Sequence, residues 1–406
     1  MTISSIERHE AVMKIATAFS LADCAEQAAF ETSRDLHGRL GGAPQLLVLY
    51  ATEHRAEAAL VAALSAHLPG AQIVGGTSCG GVMTEQGFHS GPDGAVGVLG
   101  VIDAEGAYGV GASPLNDDAH AAGAAAVERA LVAAGRDFEI PTLVWCCQPP
   151  GCEEGVLAGI QSVIGAQTPI IGGSSADESI AGAWRQFSSE GVLQDHVVVA
   201  VLFPSARHGA AFQSGYAPTG LFGVVTRAHD RQVLEIDHQP AGEVYGGWTC
   251  GVVGSDGAGA ILAKSTPTPL GRVAAEVQGV PMFVLSHPAL LGVTGDLSLF
   301  TDISEGDVVH MMRGSPESLV KRAGLVIDDA CAMGGWAGAD SLGGLVIYCG
   351  GCMLHVRDQM DEVVEEIRRA MPGAPFLGAF TFGEQGAIVD NCNRHGNLMV
   401  SALTFG

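Results

Sequence analysis

The chain has 406 residues, 47% of them hydrophobic and 16% charged, which excludes a mainly disordered protein and leaves enough apolar side chains for sizeable cores. Lys and Arg number 20 against 44 Asp and Glu, and the resulting formal charge of -24 disfavours nucleic acid and anionic membrane as partners. The 57 glycines show no Gly-X-Y period, so collagen is excluded.

Met1 to Glu10 lacks the apolar centre of a signal peptide, and no run reaches the ~18 apolar residues of a membrane helix. A cytoplasmic protein is therefore expected, with its ten cysteines as free thiols. Residues 21–40 read as a helix, with Ser20 as its N-cap and Asp23 in the first turn. QLLVLY (45–50) reads as a strand, RAEAALVAALSAHL (55–68) as a helix and AQIV (71–74) as a second strand. The turn Gly75-Gly76-Thr77-Ser78-Cys79-Gly80-Gly81 follows, then a strand over 94–102. The layout repeats with a helix at 119–135, TLVWCC (142–147), a helix at 152–165, TPII (168–171), Gly172-Gly173-Ser174-Ser175 and HVVVAVLF (196–203). Leu46 to Leu143 and Gly75 to Gly172 are both separated by 97 residues.

The middle of the chain differs. VVTRA and QVLEID predict two strands joined by the turn Ala228-His229-Asp230-Arg231, and a short helix begins near Gln239. Further short strands are expected over 281–313, and Pro316 at a first helical turn opens a helix running to about Asp329. A third unit then comprises GLVIYC (344–349), an amphipathic helix over 355–371, Ala374 to Leu377, the turn Gly378 to Glu384 and NLMVSALTF (397–405). The expected fold is α/β, with repeated β-α-β units forming mixed sheets and a second α+β domain. The expected division is 1–205, containing two repeats, and 206–406, containing antiparallel strands and the third unit.

Four pieces, in order, resemble the FIST family of sensory proteins, which have an N-terminal FIST region and a FIST C region. They are Ile73 to Gly81; Val225-Thr226-Arg227-Ala228 with Leu234 to Asp237 and Pro240 to Tyr245; His287-Pro288 with Asp296 and Ile303 to Asp307; and Phe380 to Gly386 with Asn393-Arg394-His395-Gly396-Asn397. The resemblance implies a cytoplasmic sensor in a signal-transduction pathway, with an amino acid or similar small metabolite as ligand. A haem-binding sensor is an alternative, since some members resemble haem-based gas sensors. It also implies a separate output protein, such as a kinase, because no output domain follows from the residues here. The chain departs from the family pattern at Cys349-Gly350-Gly351-Cys352, where an arginine-containing loop is often found; here Arg357 comes only after His355.

The residues suggest their own chemistry. Gly75, Gly76, Gly172 and Gly173 would let backbone N–H groups approach a ligand, with Thr77, Ser78, Ser174, Ser175, Asp177, Glu178 and Thr381 at equivalent positions near strand ends. Arg357 could take a carboxylate and Glu384 an ammonium, the pairing an amino acid requires. His287 and His395 are candidate ligand-contacting histidines, and Cys79 sits on the first glycine turn. Cys349 and Cys352 have Cys-x-x-Cys spacing, suited to metal or redox chemistry, although a metal would need further ligands. An enzyme using Cys or Ser with a nearby His is the second alternative, without a Gly-x-Ser-x-Gly elbow. No cofactor or metal is named by the sequence; a homodimer is compatible with the apolar content.

Overall fold

The structure is a computed structural model and describes residues 13–254, 256–388, 390 and 392–406; the stretch Met1 to Glu10 discussed above lies outside these. The first unit runs β1 (Met13–Ser20), α1 (Ala25–Leu40), β2 (Leu46–Ala51), α2 (Ala58–His67), β3 (Gln72–Thr77), the hairpin β4 (Val82–Thr84) and β5 (Gly87–His89), and β6 (Val96–Asp103). The second repeats it as β7 (Ala107–Pro114), α3 (Ala119–Ala133), β8 (Leu143–Gln148), α4 (Glu153–Ile164), β9 (Ile170–Ser174), β10 (Gln186–Ser188), β11 (Gly191–Leu193) and β12 (His196–Phe203).

The third unit starts with β13 (His208–Ser214) and is then interrupted. The insertion holds β14 (Ala217–His229), β15 (Gln232–Ile236), β16 (Gln239–Pro240), α5 (Ala241–Trp248), β17 (Gly259–Ala260), α6 (Leu262–Ser265), β18 (Leu270–Val277), β19 (Val280–Ser286), β20 (Pro288–Leu291), β21 (Leu297–Leu299) and β22 (Val308–Arg313). These strands pair antiparallel throughout, in a sheet of nine strands among the described residues. The third unit resumes with α7 (Pro316–Gly334), β23 (Gly343–Cys349), α8 (Gly350–His355), α9 (Met360–Ala370), β24 (Phe376–Thr381), β25 (Glu384–Ala387), β26 (Asn393–Gly396) and β27 (Met399–Phe405). The expected class, repeated β-α-β units in mixed sheets beside an α+β part, is the observed one.

Local chemistry explains the starts of α3 and α7. Asp118 caps α3 by accepting from the Ala121 N–H, and Ser315 with Ser318 forms a reciprocal capping box on α7, with Pro316 in the first turn. Ser20 does not cap α1. It ends β1 and donates to the Glu31 carboxylate, while Cys24 occupies the cap position without a side-chain bond. The chain needs four more residues to turn from strand into helix than the sequence pattern indicated.

Three six-stranded sheets have the same order, β1-β6-β2-β3, β7-β12-β8-β9 and β13-β27-β23-β24, each completed by a hairpin from another unit. The β4–β5 hairpin of the first unit adds to β24 of the third, β10–β11 of the second adds to β3 of the first, and β25–β26 of the third adds to β9 of the second. The exchange is cyclic. The helices cover the outer sheet faces, and the inner faces meet in one core containing Tyr50, Val74, Trp145, Ile171, Ile347 and Leu377. The insertion packs Val225, Ile236, Tyr245, Leu270 and Val309 into a core of its own.

Close backbone approach sets the layer on the second sheet. A Cβ on Gly159 of α4 would stand 2.0 Å from the His120 carbonyl oxygen of α3, so only glycine permits this helix–helix spacing. Gly159→Ala should therefore force α3 and α4 apart and cost about 1–3 kcal/mol, read as a lower urea midpoint.

Candidate functional site

The turns that follow β3, β9 and β24, each leading into a β-hairpin, converge at one end of the prism formed by the sheets. There the Ala176 N–H donates to the Thr77 carbonyl (2.9 Å), the Phe382 N–H to Ser174 (3.1 Å) and the Cys79 N–H to Phe380 (3.0 Å). Each turn thus rests on another, and this ring forms the floor of a cavity of about 500 Å³. Cys79 comes from the first unit, and Glu153, Glu178, Ile180 and Trp184 from the second. Cys349, Leu354, His355, Phe382 and Asn397 come from the third. Arg231, Leu262, Thr266, His287 and Phe300 of the insertion complete the wall. The position is the one at which α/β sheets generally hold ligands, beyond the carboxyl ends of the strands.

The wall is largely aliphatic and aromatic, with Trp184 and Phe382 in an edge-on contact at 6.3 Å between ring centroids. Its permanent cation is already committed. Arg231, at the tip of the β14–β15 hairpin, reaches α4, where its Nη2 lies 2.8 Å from Glu153 and 2.5 Å from Glu154. Its Nε lies 2.9 Å from Asp302, and Nη1 donates to the Phe300 carbonyl. Glu153 is fully buried and also accepts from the Ser174 hydroxyl (2.9 Å) and the Gly151 N–H (3.0 Å). Burial by itself would raise the Glu153 pKa, but His395 and Arg231 overcome it and hold the carboxyl below its ordinary 4.5. His395 approaches Glu153 at 3.9 Å, and its Nε2 faces the Phe300 carbonyl. Glu153, Glu154 and His395 present ligand atoms within 4.8 Å of one another, but the Arg231 guanidinium already lies between the two carboxylates as their counter-charge.

His287 is the buried histidine of the wall. Its Nε2 faces the Leu262 carbonyl (3.2 Å) and the Thr266 hydroxyl (3.3 Å), and its backbone N–H donates to Asn397. Burial lowers its pKa to about 4, so the ring is neutral at neutral pH. A haem iron would have to take Nε2 from both partners. Burial, followed by the charge of Glu178, raises the Cys79 thiol to about 12, and burial raises Cys349 well above its usual range. No hydrogen bond joins a cysteine or serine of the wall to a histidine among the described residues.

Of the residues singled out from the sequence, Cys79, Glu178, His287 and Cys349 line the cavity. Ser174 and His395 stand behind the wall, holding Glu153. Gly75, Gly76, Gly172 and Gly173 lie within β3 and β9, and each is paired in register across the sheet, so their role is close packing. A Cβ on Gly173, for instance, would fall 2.6 Å from Thr381. The Thr77 hydroxyl accepts from the Arg185 N–H, and Ser78 bridges the Gly81 carbonyl and the Phe380 N–H. Ser175 is buried against Gly76 with no hydrogen-bond partner for its hydroxyl.

The expected clamp of Arg357 and Glu384 is not assembled. Glu384 is fully buried and accepts from the Thr381 hydroxyl (2.9 Å) and the Met399 N–H (3.0 Å). Burial, then the nearby Cys349, raises its pKa well above its ordinary value, which disfavours the charged carboxylate that an ammonium receptor requires. Arg357 is exposed and lies off the cavity wall. Sequence reasoning missed Glu153, Trp184, Arg231 and Phe300. Arg231 reads as an ordinary turn residue, because its partner Glu153 is 78 positions away.

The family model described as the FIST N domain matches residues 45–239, and the FIST C domain matches residues 241–387. Uncharacterized protein MJ1623 of Methanocaldococcus jannaschii is 32% identical over 77 residues, which cover 19% of this chain and 15% of the relative's own length. Among solved structures, a cyanuric acid hydrolase from A. caulinodans aligns at 9% identity and a TM-score of 0.40, covering 96% of this chain and 99% of the hydrolase. PurLQS from Thermotoga maritima aligns at 11% identity and a TM-score of 0.21, covering 74% of this chain and 72% of that structure. Both structural likenesses are too distant to bear on chemistry.

Arg231→Met leaves the Glu153 charge buried without its main counter-ion and should destabilise the fold by about 3–5 kcal/mol in urea titrations at neutral pH. Acidification tests His287 separately. The unfolded chain takes up the histidine proton near 6.5 and the folded one only near 4, so stability falls as pH drops through that interval. His89 is lowered to about 4 by burial and adds the same slope, so His287→Gln should shrink this acid-side loss without abolishing it. The Glu153 contribution behaves differently: its folded pKa is depressed, so its stabilisation persists through this window and is lost only below 4.5.

Proposed function

The chain belongs to the FIST family, and on that premise we propose that it is a sensor whose small-molecule ligand occupies the cavity beneath the inserted β-sheet. FIST domains are associated with signal-transduction sensors that bind small ligands. The observation that carries the reading is the cavity itself: about 500 Å³, apolar walls, and a few polar groups at defined places. That is the build of a small-molecule site. The absence of a Cys–His or Ser–His hydrogen bond in its wall, among the described residues, supports binding over nucleophilic turnover.

The charges narrow the ligand. Arg231 is balanced by three carboxylates, so an incoming carboxylate finds no free guanidinium there. Glu178 stands exposed at the rim, near Trp184. The fitting ligand has a compact apolar body and an ammonium group. An amino acid enters through its ammonium and side chain, and its carboxylate is tolerated at the mouth rather than clamped. The same reading includes output through a separate protein such as a kinase, a cytoplasmic location and a homodimer.

Native mass spectrometry of protein purified gently from its own host, with an ultraviolet–visible scan, tests the proposal. A bound small amine or amino acid is the expected result. Trp184→Ala should then weaken its binding by at least about tenfold, and Glu178→Gln should weaken the amine while sparing a neutral isostere. A Soret band would replace this reading with haem sensing. A bare mass that stays bare across a panel of amines and amino acids would overturn it.

A further inference from the structure

The ligand reading leaves two thiols without a task. Cys349 is the last residue of β23, and Cys352 lies three positions on, in the first turn of α8. Cys349 occupies the N-cap position of α8, so the two residues stand one helical turn apart at the start of the same helix. Cys349 faces the cavity. Cys352 lies behind it, 1% exposed, with its sulfur 3.7 Å from the Tyr216 hydroxyl. Two cysteines spaced Cys-x-x-Cys across a strand-to-helix turn can close an S–S bond of about 2.05 Å without moving the backbone far. Cys146 and Cys147 are consecutive in β8 and so point to opposite sheet faces.

We propose that Cys349 and Cys352 form a redox-active dithiol in the cavity wall, oxidised to a disulfide by a hydroperoxide small enough to enter. The Cys349 thiolate attacks one peroxide oxygen, the O–O bond breaks, and the leaving oxygen departs as water or an alcohol with the proton the thiol released. Cys349 is then a sulfenic acid. The Cys352 sulfur displaces its hydroxyl, the S–S bond forms, and water leaves with the second thiol proton. Two thiols have lost two electrons and the peroxide has gained them. Burial keeps the Cys349 thiol protonated, so oxidation is slow at neutral pH and accelerates as the pH rises. The step does not depend on the identity of the ligand.

The test uses the full chain, reduced, freed of reductant and titrated with hydrogen peroxide under native conditions. The expected product is lighter by about 2 Da, and peptide mapping after alkylation finds Cys349 and Cys352 protected together. Dithiothreitol should restore both thiols, and the rate should rise about tenfold per pH unit. Cys352→Ser should instead stop at a sulfenic acid on Cys349 that dimedone traps. Should that variant fail to fold, the wild-type map decides the question. The proposal is overturned if both thiols remain alkylatable after the exposed Cys24 and Cys250 have been oxidised, or if either one is linked to a different cysteine.

Discussion

The exchange of β-hairpins among the three sheets is the constraint on which the rest depends. Each sheet would end on β3, β9 or β24 and leave that strand's backbone groups open. In the structure the next strand comes from a different unit, so no sheet is complete without its neighbour. The arrangement also fixes where the turns after β3, β9 and β24 lie. A hairpin reaches the adjacent sheet only if the turn before it passes the common axis, and the backbone bonds between Ala176 and Thr77, Phe382 and Ser174, and Cys79 and Phe380 record that passage. The cavity floor is a consequence of strand pairing.

The inserted sheet supplies what the prism lacks. Three strand ends alone would form a shallow dish, whereas Leu262, His287 and Phe300 close its side. Arg231 fastens that wall. One guanidinium meets Glu153 and Glu154 of α4 and Asp302 of the insertion itself, so a single cation spans the joint between insertion and core. A buried pair of this kind gains less than its Coulomb energy because of desolvation. Its value lies in position, since Glu153 also binds Ser174 at the end of β9 and registers the joint against the floor. The polar groups of the wall are consumed in making the cavity, and this is why its free surface is mostly apolar.

Much of this architecture is legible in the chain. The alternation of apolar strand, helix and glycine turn, repeated at 97 residues, identifies the first two units, because burial on both sheet faces demands continuous apolar runs such as LLVLYA and LVWCCQ. Pro316 after Ser315 marks the start of α7 through local hydrogen bonding alone. The glycines are legible too, but their purpose is not. Gly173 reads as an opening for a ligand, and its neighbour is in fact the Thr381 side chain of another unit. Glu384 reads as a charged receptor, and the fold instead buries it, raises its pKa and occupies its oxygens with the Thr381 hydroxyl and the Met399 N–H.

By itself, the sequence determined the α/β class, the repeated β-α-β unit, the antiparallel interruption and the family, because periodicity and turn chemistry act over a few residues and leave their mark locally. Only the tertiary structure decided which strand completes which sheet and that Arg231 belongs with Glu153. It also decided that Cys79 and His287 face a cavity while Arg357 and Glu384 do not. The physical reason is range. Pairing, burial and charge neutralisation join residues tens to hundreds of positions apart, and no local pattern encodes the partner.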